Sequence, residues 1–202
     1  MAEAPPLAAT TPIAGFDAVV LAGGRGSRLG GLSKADLVVR GERLLDRVLR
    51  AAAGGRTRVV VGDVAVPAGV LLTREDPPGT GPAAGLVAGL DAVRDPAAWT
   101  LVLACDLPDA PAAVGVLLAG ASDDPGVDGW CLTGSDGHLE WLLGLYRTDA
   151  LHRAARAYGD CRNRSVRGML APLSLAGVDP GPASTADLDT WADHARWTEG
   201  SA

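Results

Sequence analysis

The sequence predicts a three-layer α/β fold around a mostly parallel, doubly wound sheet. Three observations carry this. The apolar run Phe16–Leu21 empties into a turn holding five glycines in ten positions. Strands alternate with helical patterns through the first half of the chain. Thr100–Cys105 is an unbroken apolar run, which marks a central strand covered on both faces. The 202 residues, 48% hydrophobic and 21% charged, suit one three-layered domain, expected over 16–202 behind a disordered tail over 1–15.

The elements follow in order. Phe16–Leu21 reads as a buried strand. Asp36–Val39 reads as a short extended piece, and Arg40-Gly41 as a turn. Leu44, Leu45, Val48, Leu49 and Ala52 share one face of a helix that Gly54-Gly55 is expected to end. Arg58–Gly62 and Val70–Leu72 read as strands. The turn-rich run Arg74–Pro82 leads into a helix over Ala83–Val93, with Pro82 in its first turn. After Thr100–Cys105 and the turn Asp106–Asp109, a helix runs to about Gly120. The second half is less regular. It offers strands at Gly129–Leu132, Glu140–Tyr146 and Leu173–Leu175, and helices at Asp149–Tyr158, Arg164–Leu170 and Asp189–Trp197.

The turn after the first strand is the strongest chemical signal. Its glycines allow positive φ and close backbone approach, so peptide N–H groups of Gly23 and Gly24 can converge on an anion. Arg28 and Lys34 add fixed positive charge, and Lys34 is the only lysine in the chain. The pattern is neither common phosphate loop: no Ser or Thr follows Lys34, and Leu29 stands where a dinucleotide fingerprint needs its last glycine. Ligands of open α/β sheets collect beyond the carboxyl ends of the strands. The glycine turn and Asp106 share a crevice there if their strands are neighbours.

Two readings stand for each acidic group. Asp106 closes an apolar strand, where its carboxylate holds a phosphate-bound Mg²⁺ or caps the following helix. Asp187 and Asp189 face one side of an extended segment, while Asp189 or Thr190 would also cap the last helix. Glu75-Asp76 is expected to contact a base or ribose, or to cap the turn into Pro77-Pro78.

Other functions are disfavoured. A net charge of −6 gives no basis for nucleic-acid binding. Three cysteines at wide spacing make neither a disulfide framework nor a zinc site, and Cys105 reads as packed. The three histidines lack ligand spacing. The tail lacks a signal-peptide pattern and no run approaches a membrane span, so a cytoplasmic protein with no membrane partner is expected.

Leu21–Lys34 resembles the Leu-Ala-Gly-Gly-x-x-x-Arg-Met-Gly-x-x-Lys loop of the molybdenum cofactor guanylyltransferase-like nucleotidyltransferases. It is one residue longer before the lysine, with Leu29 for Met. Gly81–Leu86, Cys105–Pro108 and Asp187–Thr190 are similar to three further motifs of that family, in the same order. The resemblance implies a Rossmann-like sheet of the nucleotide-diphospho-sugar transferase type and transfer of GMP from GTP to molybdopterin with release of pyrophosphate. It implies that Leu21, Ala22, Gly23 and Gly24 hold the nucleotide by backbone, that Lys34 and Arg28 act on the phosphates, and that Asp76 contacts the nucleotide. Asp106 would bind Mg²⁺, and Asp187 and Asp189 would face the second substrate or complete the metal site. Molybdoenzymes or other cofactor-biosynthesis proteins are the implied partners. Glu140-Trp141-Leu142 departs from the family's Gln-Pro-Leu, in the region that receives the second substrate. A cytidylyl- or sugar-phosphate nucleotidyltransferase of the same fold and a non-catalytic nucleotide-binding protein are the competing expectations.

Overall fold

A computed structural model describes residues 12–23, 33–188 and 190–199. Strand β1 (Phe16–Leu21) enters first. A single 3-10 turn (Lys34–Asp36) follows, then a small hairpin of β2 (Val38–Val39) and β3 (Glu42–Arg43), and helix α1 (Leu44–Ala51). Next come β4 (Arg58–Val61), β5 (Leu71–Thr73), α2 (Pro82–Asp91), β6 (Trp99–Ala104) and α3 (Ala110–Gly120). The chain closes with β7 (Gly129–Thr133), β8 (Leu139–Arg147), α4 (Thr148–Tyr158), α5 (Val166–Leu170), β9 (Leu175–Val178) and α6 (Trp191–Glu199).

The main sheet has seven strands in the order β5-β4-β1-β6-β8-β7-β9. All run parallel except β8, which lies antiparallel to both β6 and β7. The sheet is therefore mostly parallel, as expected. Alternation along β1 divides the core. Ala18 and Val20 pack with Leu45 and Val48 of α1 and Leu117 of α3, whereas Val19 and Leu21 pack with Leu86 of α2, Leu151 of α4 and Met169 of α5. Helices thus cover both faces, giving three layers. Ile13, ahead of β1, packs partly buried on the α1 side.

Several boundaries differ from expectation. Residues 34–36 form the 3-10 turn through Asp36 N to Ser33 O at 3.0 Å and Leu37 N to Lys34 O at 3.2 Å, so only Val38-Val39 is extended. Helix α1 ends at Ala51, before Gly54-Gly55, where the Ala53 N–H turns onto Arg50 O at 3.2 Å in an i→i−3 bond that tightens the last turn. The last strand lies at Leu175–Val178, pairing with β7.

Two features hold the central strands. Asp17 is buried, and its carboxylate accepts from Thr57 N at 3.0 Å and Ala97 N at 2.6 Å, joining the entries of β4 and β6 to β1. Gly89 lets α2 lie close on the sheet: a Cβ there would press into Val19 and stand 2.9 Å from Val61 Cγ2. Both valines are β-branched and buried, so neither yields easily. We expect Gly89→Ala to destabilise the protein by about 1 kcal/mol even after its gain in helix propensity. A lower urea midpoint at unchanged slope is the readout; an unchanged or higher midpoint would show that α2 has slack.

Candidate active site

The chain leaves β1 to build β4 and β5 on one side, then crosses through α2 to lay β6 on the other. The carboxyl ends of β1 and β6 are therefore the topological switch point, where a crevice opens. Leu21 pairs with Ala104, and Cys105 N donates to Leu21 O at 3.0 Å. Ala22-Gly23 and Asp106 thus leave the sheet side by side. A cavity of about 1120 Å³ opens above them.

Lys34 and Asp106 meet on its wall, Nζ to Oδ2, at 2.8 Å, with 23% and 17% of their side chains exposed. Lys34 is carried by the 3-10 turn, which Ala35 anchors in the core at 1% exposure. Asp106 sits in a turn held from three directions. Leu188 N donates to Asp106 O at 2.9 Å, Ser184 N to Asp109 Oδ2 at 2.8 Å, and Arg47 Nε to Pro108 O at 3.0 Å. Asp106 does not cap α3, which starts at Ala110 behind Asp109, so its carboxylate is available to the cavity.

Leu188 is fully buried against Leu37, Val39 and Leu44. This pins Leu188 beside Asp106 and turns Asp187 to the cavity. Thr190 caps α6: its Oγ1 accepts from Asp193 N at 3.2 Å, and its own N–H donates to Asp193 Oδ2 at 2.8 Å.

Leu21, Ala22, Gly23, Lys34 and Asp106 all line the cavity. Asp76 does not; it is exposed on the loop beyond β5. Gly24, Arg28 and Asp189 lie outside the described residues. Cys105 is buried beside Asp106, and desolvation followed by that neighbouring charge pushes its thiol up to about 12, so it is packing and not a nucleophile. The cysteines are all free. Among the described residues no group of three His, Cys, Asp or Glu side chains could hold a metal, and no helix is long and apolar enough to cross a membrane.

Sequence reasoning missed two further contributors. Asp136, in the turn between β7 and β8, and Arg167, on α5, both line the cavity. Neither belongs to a motif; only the chain reversals that form the cavity bring them in. Glu140 also lines it, at the start of β8. Burial chiefly, then Asp136 and Asp187, pushes its carboxyl above the ordinary glutamate value. A raised native pKa means that the folded state binds the proton more tightly than the unfolded state. Glu140 therefore costs nothing below the unfolded glutamate pKa, and stability falls as pH rises through the native value. Glu140→Gln is expected to raise the thermal midpoint at neutral pH, with a gain that vanishes in acid; a gain independent of pH would contradict this origin.

Chemically, the site sets a lysine and a carboxylate beside the backbone of Gly23 around one opening at the carboxyl end of the sheet. That arrangement suits a phosphorylated ligand. Known proteins agree. The MobA-like NTP transferase domain model matches residues 18–175. A probable molybdenum cofactor guanylyltransferase of Chloroflexus aggregans is 33% identical over 176 residues, covering 81% of this chain and 79% of its own. The molybdenum cofactor guanylyltransferase of Acidiphilium cryptum is 32% identical over 168 residues, covering 80% and 82%. The crystal structure of molybdopterin-guanine dinucleotide biosynthesis protein A from Archaeoglobus fulgidus has the same fold, with a TM-score of 0.65 at 21% identity over 91% of this chain and 97% of that one. The chain belongs to the MobA-like NTP transferase domain family and is an enzyme of that nucleotidyltransferase kind.

Proposed function

We propose that this enzyme transfers GMP from GTP to the phosphate of molybdopterin, releasing pyrophosphate. The observation that carries the reading is the convergence of Leu21–Gly23, Lys34, Asp106 and Asp187 on one cavity at the switch point. Those residues come from three of the four ordered motifs. The names of the two curated relatives support guanine as the base and the molybdenum cofactor as acceptor.

The chemistry asks mainly for alignment and charge neutralisation. An acceptor phosphate oxygen is already ionised, so no general base is needed, consistent with the absence of histidine from the cavity lining. Ala22 N already donates to Val61 O at 2.8 Å, so the peptide N–H of Gly23 would begin the nucleotide cradle, with Gly24 and Arg28 extending it. Lys34 would balance charge on the triphosphate. One carboxylate with phosphate oxygens and water is a donor set that suits Mg²⁺, and Asp106, whose other wall partner is already a cation, fits it. Asp189 would be a second ligand. Mg²⁺ so bound would supply Lewis-acid stabilisation of the charge developing on the leaving pyrophosphate. Asp76 would reach the nucleotide only if its loop folded inward on binding. The reaction belongs to the cytoplasm, with molybdoenzymes or cofactor-biosynthesis proteins as downstream partners.

Pyrophosphate release should be measured with GTP, CTP, ATP and UTP in the presence of Mg²⁺, with and without molybdopterin. GTP-selective release that needs the pterin supports the reading. Release with CTP alone would keep the mechanism and change the product. GTP binding without release on any acceptor would leave a nucleotide-binding protein.

A further inference from the structure

Both reactants of such a transfer carry phosphate, so the cavity must neutralise two anionic groups. Its described charged side chains are Lys34, Arg167, Asp106, Asp136, Glu140 and Asp187. Asp136 and Asp187 both act electrostatically on Glu140, so that part of the cavity is lined by carboxylates and offers a phosphate no cation of its own among the described residues. Lys34 is engaged with Asp106 at 2.8 Å. Arg167 differs from both groups. Its side chain is exposed to the cavity and makes no hydrogen bond or ion pair among the described residues.

The two cations also come from opposite faces of the sheet. Lys34 rides on the turn packed against α1, whereas α5, which carries Arg167, packs with α2 and α4. The backbone ahead of Arg167 is fixed to the start of α2: Asn163 N donates to Thr80 O at 2.5 Å and Ala83 N to Arg164 O at 3.3 Å. Ser165 Oγ then caps α5, accepting from Gly168 N at 3.0 Å. A permanently charged fork is thus carried by a fixed backbone on the α2–α4 side of the sheet, opposite the side on which the Lys34 turn packs.

Resting on the transfer reaction proposed above, we infer that Arg167 binds the phosphate monoester of the acceptor, the group that attacks. A guanidinium binds such a dianion through paired N–H donors. It orients one phosphate oxygen toward the α-phosphorus. That oxygen forms the new P–O bond, the bond from the α-phosphorus to the bridging oxygen breaks, and its electron pair leaves on pyrophosphate. Arg167 gives up no proton in this step.

The test uses the full chain and inorganic phosphate as probe, followed by phosphorus NMR with GTP at saturation. Arg167→Ala is expected to weaken phosphate binding by about tenfold. Arg167→Lys should restore part of the loss, and GTP affinity by calorimetry should be unchanged in both. With the acceptor, Arg167→Ala should raise KM for that substrate more than it lowers kcat. Equal phosphate binding in wild type and Arg167→Ala overturns the proposal. A parallel loss of GTP affinity also overturns it, because it would assign Arg167 to the triphosphate. If wild type binds no GTP, the transfer reading fails by itself, and phosphate binding without nucleotide still decides on Arg167. The side chain is exposed and unpaired, so an unchanged melting curve is expected for either variant.

Discussion

Asp106→Asn is expected to lower the rate of nucleotidyl transfer by about a thousandfold while leaving the protein folded. The catalytic loss follows from removing the one carboxylate that the β6 edge presents beside Lys34. Asn keeps the shape but carries no negative charge, so metal binding and the charge balance at the pyrophosphate would both suffer. Stability should change little. The turn at Asp106 is held by Leu188 N on Asp106 O and by Ser184 N on the Asp109 carboxylate, and not through the Asp106 side chain. The ion pair itself is partly open to solvent, where such pairs contribute about 0–1 kcal/mol. Initial rates against Mg²⁺ concentration, with a thermal melt as control, check both halves. Wild-type rates in the variant would remove Asp106 from the chemistry.

Lys34→Ala is the second large effect, an expected loss of about a hundredfold in kcat/KM for GTP. The ammonium is positioned by a turn too short to move independently, anchored at Ala35 and beside the first strand's exit. Lys34→Arg should recover only part, since a planar fork does not fit a site shaped for a compact ammonium. Because Lys34 and Asp106 touch, the double variant Lys34→Ala with Asp106→Asn should lose much less than the two single losses multiplied. Fully multiplicative losses in steady-state kinetics would show that the two act separately.

What was legible in the sequence was whatever a local pattern encodes. The helix from Leu44 was readable because Leu44, Leu45, Val48, Leu49 and Ala52 repeat at helical spacing, and all are buried. The central strand was readable because Thr100–Ala104 has no polar side to show solvent. The pairing of Asp106 with the glycine turn followed from the rule that ligands gather at carboxyl strand ends, once β1 and β6 proved to be neighbours.

The remainder depends on long-range contacts. Three residues of 3-10 turn at Lys34–Asp36 carry no periodicity, and the two-residue strand Glu42–Arg43 exists only by pairing with Val38-Val39. Asp17, inside a run read only as a buried strand, is a buried acceptor for two peptide N–H groups 40 and 80 residues away. Asp106 was also open to a reading as a helix cap, a position that Asp109 holds at α3. Arg167 and Asp136 have no motif around them. Their meeting with Lys34 depends on β8 running back along β6 and on α5 folding over the sheet edge.

The central claim is that the bond broken in GTP joins the α-phosphate to pyrophosphate, with a phosphate acceptor receiving the nucleotide. The most direct measurement follows a radiolabel at either the α- or the γ-phosphorus of GTP, with Mg²⁺ and molybdopterin present. The α label should appear in a molybdopterin-guanine product and the γ label in pyrophosphate, both dependent on the acceptor. Transfer of the γ label to the acceptor, or release of inorganic phosphate in place of pyrophosphate, would contradict the account.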